Sequence, residues 1–519
     1  MRNKRGLFTG VILAVAAGGL VLLTRSAGAQ DPKTSQTGRS GDAVVDAQTP
    51  KQVPVERPEQ KKTAHDLSDV FGASKAEPSS EALGDQPERG SMTGFDFYRD
   101  PLGAMKPGTT FEEIYQSGVT NKPKAMARQR KLLESRYDLA PRLDPKATMS
   151  RGKPLVVGPT ARLPKGTDWV ALAAMSPEEI RRSDIFPYKA LPHPVQGGGL
   201  GGQVFPQMQI KMFPRLERYD VENDLPEVFL PEFPPAMFLQ TRPELGDVSR
   251  GEVVSINNYY RLFKDILTPV QLDGLRLLLT PFSQEEFNPT DDRKTAQPTL
   301  GVTCFDCHTN GHTSGQFHIN PDTRPEQRRM RLDTVSLRGM FAQKIHGSKR
   351  SLRSVEDFTE FEQRTAYFNG DEIHAIKKGM NILDRIQVSH MAQMQNMLDF
   401  PPAPKVNALG HLDARKATQS ELQGERLFFG KAQCGSCHPA PDYLDNEMHD
   451  LHLERFLRDE AGDGPMKSFT LRGIKDSPPY LHDGRLLTLE DTVEFFNLVL
   501  ETKLTDPEKK DLVTFLRAL

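Results

Sequence analysis

Apolar residues recur at helical spacing in the C-terminal half of the chain, and this pattern predicts a mainly α-helical fold there. The segment ELQGERLFFGK (421–431) has the pattern of a short amphipathic helix. At the C-terminus, one helical face would carry Leu512, Phe515, Leu516 and Leu519. These faces predict helices that pack against a common core.

Polar residues mark where two of these helices begin. Thr488 with Asp491, and Thr505 with Glu508, have the spacing of N-terminal capping pairs. Pro507 suits a first helical turn, where its missing N–H costs nothing. The pairs predict helix starts just after 488 and 505.

The first 29 residues have the layout of a secretory signal, with a basic start (MRNKR), an apolar run (6–23) and A-G-A before Gln30. The apolar run is long for a cleaved signal and a little short for a membrane span. Cleavage is favoured, and an uncleaved N-terminal anchor stays open. Either form predicts export, to the periplasm or an equivalent compartment, and no other stretch could cross a membrane.

The next part of the chain shows little periodicity. Residues 30–92 are polar and predict a disordered linker. Residues 93–270 have an unknown fold, in which PEEIRRS (177–183) is helix-like and the proline-rich run 225–238 is not. The glycine cluster 197–202 lacks a strand–glycine–helix setting and a following Lys-Ser/Thr, so we interpret it as a flexible loop. The region suggests no function.

From about residue 271 the same landmarks occur twice. Each copy has an L-R-G segment, a segment with His and Gly, and an acidic helix-like run, at 335–339, 345–347 and 350–358, then at 469–473, 481–484 and 487–496. This order predicts an internal duplication. We place the two units at 271–405 and 406–519.

The composition fits a loop-rich protein of several domains. The chain has 519 residues, 40 glycines, 40 prolines and a mean hydropathy of -0.53. Its net charge is -2, and without the first 29 residues 63 basic residues stand against 69 acidic ones, or -6. This balance argues against a nucleic-acid partner.

All four cysteines belong to two C-x-x-C-H motifs, at 304–308 and 434–438. A redox dithiol would need a βαβ setting that neither region shows. A shared zinc site would need the pairs about 15–20 residues apart, and here Cys307 and Cys434 are 127 apart.

Covalent haem attachment fits both motifs. The two-residue gap matches the vinyl spacing of a porphyrin, and the next residue lies under the iron. The motifs therefore predict two haem c groups, one on Cys304 and Cys307 and one on Cys434 and Cys437. The histidine that ends each motif, His308 or His438, is the predicted proximal iron ligand.

Two such motifs on a duplicated helical unit resemble the di-haem cytochrome c peroxidase and MauG family. The resemblance covers about half of the chain, residues 271–519. It is strongest in the second copy, in GERLFFGKAQCGSCHPAPDYLDNEMHDL (424–451) and SFTLRGIKDSPPYLHDGRLLTLEDTVEFFN (468–497), and looser in TCFDCHTNGH (303–312). It implies two tandem cytochrome c-like haem domains.

The resemblance also implies how the two sites divide the work. The first haem would react with peroxide and the second would relay electrons, with a calcium ion between the domains. Distal candidates at the first haem are His312, His318 and His346. The family's catalytic glutamate would fall at Glu360 or Glu362.

Two departures from the family pattern affect the roles of the haems. The family's W-D-G segment, whose tryptophan relays electrons, reads K-I-H-G here (344–347), and the chain's one tryptophan is Trp169. The family's Met or Tyr ligand to the second haem is replaced by Phe496. The second haem would then be five-coordinate, or take a ligand from Met448, His449 or Met466. His482 is expected to hydrogen-bond a propionate or the backbone.

Three functions stay open on the sequence. The favoured one is an exported peroxidase-like oxidoreductase that reduces hydrogen peroxide with electrons from a small redox protein, or uses peroxide to oxidise a protein side chain. The others are a non-catalytic di-haem electron-transfer cytochrome and an O₂-activating di-haem dioxygenase. The sequence also leaves open a membrane tether and a homodimer.

Overall fold

The computed structural model describes residues 111–194, 203–281, 302–319, 331–349, 351–363, 383–458 and 462–519. The signal or anchor, the linker and the glycine cluster 197–202 lie outside these residues. The described part of the chain contains no helix that is both long and apolar enough to cross a membrane.

The described residues are mainly helical, as the sequence predicted. The α-helices, in chain order from α1 to α12, are Phe111–Arg136, Trp169–Ala174, Pro177–Ser183, Gln207–Met212, Tyr259–Phe263, Pro269–Leu278, Cys304–Cys307, Val355–Glu362, Arg385–Gln395, Gln419–Phe429, Leu489–Val499 and Asp506–Leu516. Short 3₁₀ turns lie at Pro214–Leu216, Glu227–Phe229, Pro243–Leu245, Thr309–Gly311, Met340–Ala342, Cys434–Ser436, Leu453–Arg455 and Ile474–Asp476.

The strands are short and pair antiparallel in twos. They are β1 Leu143–Thr148 with β2 Pro154–Val156, β3 Phe317–Ile319 with β4 Arg331–Asp333, and β5 Met448–His449 with β6 Met466–Lys467. In the second pair His318 lies opposite Leu332, and in the third His449 lies opposite Met466. These two ladders position residues that line the candidate sites.

The same crossing helix pair occurs in both predicted units. Helix α6 packs on α9 in the first unit, and α10 packs on α12 in the second. At each crossing a glycine lies six residues past the N-cap, Gly274 in α6 and Gly424 in α10. A Cβ on either glycine would overlap a backbone carbonyl oxygen, that of His390 or Asp511. Both predicted units thus contain the same glycine-mediated helix crossing.

The structure aligns the two copies of the repeat differently from the sequence motifs, by two residues. A β-bridge joins His346 to Leu352 in the first copy, and the equivalent bridge joins Tyr480 to Leu486 in the second. Each bridge begins seven residues after a left-handed glycine, Gly339 or Gly473. His346 therefore corresponds to Tyr480, although the sequence motifs paired it with the histidine of H-D-G.

The N-terminal region contributes to both cores. Leu133, Tyr137 and Phe186 join the apolar core of the second unit, and other residues between 205 and 279 join that of the first. Buried hydrogen bonds reinforce the contact between the N-terminal region and the second unit. The Tyr137 hydroxyl donates to the carbonyl of Arg485 at 2.7 Å, and the Asp491 carboxylate accepts the N–H of Thr160 at 2.7 Å.

We expect a Gly424→Ala substitution to destabilise the second unit. Its methyl group would overlap the Asp511 carbonyl, which belongs to a helix backbone and cannot rotate away. Overpacking of this kind costs about 1–3 kcal/mol. Urea unfolding measures the loss, and Gln419→Ala, at an exposed position of the same helix, is the control. Equal stability of the Gly424 variant and the parent would contradict the crossing.

Candidate functional site

The first C-x-x-C-H motif forms a short capped helix. The Thr303 side chain accepts the backbone N–H of Asp306 at 3.0 Å, and the Asp306 carboxylate accepts that of Thr303 at 2.6 Å. This capping box fixes helix α7, which carries both cysteines, and His308 follows as its C-cap. The two sulfurs and the imidazole therefore share one rigid turn.

The ring of His308 is held by the backbone. Its Nδ1 lies 2.8 Å from the carbonyl oxygen of Val335, so Nδ1–H donates and Nε2 keeps its lone pair. Burial lowers the pKa of His308 to about 4, which keeps the ring neutral. A neutral imidazole with a fixed tautomer is what an iron ligand requires.

Cys304, Cys307 and His308 line a first cavity of about 1460 Å³, a volume that includes space open to solvent. Its lining also includes His318, His346 and Glu362. Two cysteine sulfurs and one ring nitrogen on the same wall are the donor set that would hold a covalently attached macrocycle.

The second motif repeats the arrangement in the second unit. The Nδ1–H of His438 donates to the carbonyl of Tyr443 at 2.9 Å. Cys434, Cys437 and His438 line a second cavity of about 1900 Å³, again including open space. Burial is the main cause that lowers the pKa of His438. Both motifs thus present the same ligand set to a large cavity.

One layer of protein separates the two cavities. Residues 333–336, with Gln343, Ser348 and Phe469, line both of them. Trp169 lines neither cavity and packs edge-on against Phe186, with ring centroids 5.2 Å apart. The shared wall, which has no tryptophan among its residues, lies directly between the two sites.

His312 does not fill the distal role that its place in the motif suggested. Its Nδ1 lies 2.8 Å from the Ser336 hydroxyl, and its Nε2 lies 2.9 Å from the carbonyl of Asp476. The side chain is buried outside the lining of the first cavity. Nε2 thus joins the first unit to the second, and both ring nitrogens are engaged by protein groups.

The two glutamates proposed as catalytic groups lie on different faces of helix α8. Glu360 forms an ion pair with Arg385, whose side chain is exposed. Glu362 lines the first cavity, and its charge helps to raise the pKa of the Cys307 thiol, after burial. Of the two candidates, Glu362 lies at the first cavity and Glu360 lies outside its lining.

The structural repeat shows which residue of the first unit corresponds to Phe496. Ser354 and Thr488 cap helices α8 and α11, each accepting the N–H three residues on. Glu362 and Phe496 lie eight residues past these caps, and each lines its own cavity. The same position thus carries a carboxylate at the first site and an apolar ring at the second.

The other candidate iron ligands at the second cavity differ in whether they line the cavity and whether their side chains are already hydrogen-bonded. His449 and Met466 line the cavity, but His449 Nε2 already bonds to Asp445 at 2.6 Å. Met448 is outside the lining. His482 is buried and lines the cavity, and neither ring nitrogen has a hydrogen-bond partner among the described residues. Orphaned buried nitrogens facing a cavity indicate a group that would complete them.

The expected calcium site finds no support among the described residues. Their acidic side chains converge with histidine or cysteine at Cys437, Asp445 and His449, and again at 450–454. The first cluster contains a haem-attachment cysteine, and the second is exposed. Calcium binding stays a prediction.

We expect stability to fall as the pH drops from about 6.5 toward 4. Burial lowers the pKa of His346 to about 4 and that of His312 to about 3. The unfolded chain therefore binds more protons in this range, and stability rises with pH at up to about 1.4 kcal/mol per unit for each histidine. Urea unfolding at several pH values measures the slope, and His312→Gln should reduce it. A midpoint independent of pH would contradict the burial of these rings as neutral groups.

Comparison with known proteins agrees with this geometry. No protein-family model matches the chain. The methylamine utilization protein MauG of Methylorubrum extorquens is 30% identical, over 19% of this chain and 33% of that protein. Cytochrome-c peroxidase IdrP2 of Denitromonas iodatirespirans is 26% identical over 21% and 41%. Cytochrome c551 peroxidase of Nitrosomonas europaea is 28% identical over 26% and 44%. The chain thus spans less than half the length of each of these relatives.

Two solved structures are also similar to the chain. A MauG-like protein associated with microbial copper homeostasis is 16% identical, with a TM-score of 0.34 over 50% of this chain and 90% of that one. Kuenenia stuttgartiensis hydrazine synthase is 19% identical, with a TM-score of 0.32 over 52% and 94%. Scores this low add no weight of their own.

Over the matched residues, the chain is similar to MauG and to cytochrome c peroxidases. These matches confirm the relationship to the di-haem cytochrome c peroxidases and MauG that the two C-x-x-C-H motifs predicted.

Proposed function

We propose that the protein is an exported di-haem c-type oxidoreductase that reduces hydrogen peroxide with electrons from a small redox protein. One observation carries the proposal. Each C-x-x-C-H motif lines a large cavity and presents an imidazole whose Nδ1 is fixed by a backbone carbonyl. The apolar run 6–23 supports export, because c-type haem is attached outside the cytoplasm.

The first cavity is the proposed peroxide site. Haem c bound there would supply an iron for peroxide, and the electrons would come from the redox protein. Reduction of one peroxide to two waters takes two electrons and two protons, so a proton carrier must stand beside the iron. Asp333 and Glu362 are the described carboxylates that line this cavity, and Glu362, on helix α8, is proposed to move a proton between the peroxide oxygens.

The second cavity is the proposed electron relay. Phe496 offers no iron ligand, and it packs in the apolar core of the second unit. An apolar residue at that position keeps water and peroxide away from the second site. Residues 333–336 and Phe469 form the wall through which electrons would tunnel to the first site.

Haem content and turnover test the proposal. A pyridine haemochrome assay should give about two haem c per chain. Reduced protein supplied with a small cytochrome should then consume peroxide at a steady rate. Any haem content other than two, or two haems with no peroxide consumption in any redox state, would overturn it.

A second candidate function is electron transfer without catalysis. His318 lines the first cavity with His308, and burial lowers the pKa of His318 to about 4. A neutral imidazole so near the first site could occupy the sixth position of an iron. EPR separates the two functions, because a carrier would show low-spin signals alone, at rest and after one-electron reduction.

A further inference from the structure

The side chain of Lys467 is a buried cation at the edge of the second cavity. Lys467 is 4% exposed and lines that cavity from strand β6. Its strand partner is Met448, and its own N–H donates to the carbonyl of Ser348 at 2.8 Å. The ammonium is thus held by the backbone in a place that water does not reach.

The contacts of this ammonium are with neutral groups. Its Nζ donates to the Gln343 side-chain oxygen at 2.8 Å and to the carbonyl of Ser468 at 3.1 Å. It also lies 4.1 Å from the centre of the Phe469 ring. Gln343 and Phe469 belong to the wall that the two cavities share.

The nearby carboxylate does not neutralise it. Asp445 accepts hydrogen bonds from the Ser468 hydroxyl and from His449 Nε2. Burial outweighs the attraction of Asp445 and lowers the pKa of Lys467 to about 7. A buried charge without a counter-charge is costly, and proteins rarely keep one.

We propose that Lys467 is the counter-charge for a carboxylate that enters the second cavity with its cofactor, a propionate of the haem c on Cys434 and Cys437. This inference rests on the proposed function. The propionates are the anionic groups of a haem c, and the ammonium lines the cavity that this haem would fill. The buried lysine is then completed by the cofactor, as the orphaned nitrogens of His482 are proposed to be.

A fixed positive charge beside the second haem should raise its reduction potential. The charge disfavours the ferric state, which carries one more positive charge than the ferrous state. The geometry points to Lys467 as a residue that tunes the electron relay. The aromatic ring of Phe469 and the amide of Gln343 position it at the wall between the two sites.

The test is a potentiometric titration of the holoprotein and its Lys467→Met variant. At a fixed applied potential, the ratio of ferrous to ferric second haem should fall at least tenfold, which is about 59 mV for a one-electron couple. Lys431→Met is the matched control, because it removes a half-exposed lysine of the same unit that pairs with Glu508. We expect less than a threefold change there.

Several outcomes decide the matter. A potential that does not move in Lys467→Met overturns the proposal. So does a change in the ligation or spin state of either iron in EPR, since that would make Lys467 an iron ligand. If Lys467→Met does not fold, Lys467→Gln removes the charge while keeping a polar end. A haem count other than two per chain would instead refute the proposed function itself.

Discussion

A Glu362→Gln variant should lose about 10²–10⁴-fold in peroxide turnover while keeping both haems. The amide has nearly the shape of the carboxylate but cannot take up or release a proton at the reaction pH. Glu362 lines the first cavity together with His308 and both attachment cysteines. The rate of peroxide consumption at saturating donor measures the loss, and the Soret spectrum verifies haem content.

Glu360→Gln is the matched control for this variant. Glu360 is on the same helix and two residues away, but its carboxylate pairs with Arg385 at the surface. We expect turnover within about twofold of the parent, since surface ion pairs contribute little. Equal loss in both variants, or loss in Glu360→Gln alone, would contradict the assignment of Glu362.

Removing the cysteines of one motif at a time should distinguish the roles of the two sites. In Cys304→Ala with Cys307→Ala, haem content should fall from about two to about one per chain, and peroxide consumption should fall to background. The reason is that the first cavity holds Glu362, the proposed proton carrier, together with His318 and His346. Haemochrome assay and peroxide electrode measurements provide both quantities.

The same change in the second motif is the control. Cys434→Ala with Cys437→Ala should also leave about one haem per chain. This variant should still react with peroxide when a small chemical reductant supplies electrons, but should fail with a redox protein as donor. Retained peroxide activity in the first pair of variants, and its loss in the second pair, would reverse the proposed roles.

Local signals of the sequence gave the helices correctly. The predicted helices at 177–183 and 421–431 are found as Pro177–Ser183 and Gln419–Phe429. Thr488 and Thr505 cap helices α11 and α12 in capping boxes. Helix starts depend on side chains within three or four residues, so a single sequence contains the information.

Counting residues from the N-cap of helix α8 would have distinguished Glu362 from Glu360 as the residue that lines the cavity. Once Ser354 is taken as the N-cap, the repeat with Thr488 places Glu362 at the position of Phe496. The sequence motifs hid this because they matched the His-Gly letters of the two copies. Backbone bridges at His346 and Tyr480, which fix the true register, have no letter pattern of their own.

Long-range contacts lay beyond the sequence. His312 bonds to the carbonyl of Asp476, 164 residues away, and this alone removes it from the first cavity. The N-terminal region gave no sign that Tyr137 would reach Arg485, 348 residues on. Lys467 is similar, since its burial follows from packing against Phe469 and Gln343 and not from any local pattern.

Rapid mixing of the fully reduced protein with one equivalent of hydrogen peroxide tests the central claim most directly. Each peroxide takes two electrons, and the two proposed haems hold one each. The account predicts that one equivalent oxidises both haems, with loss of the ferrous absorption bands. A ferrous spectrum that is unchanged after mixing would contradict it.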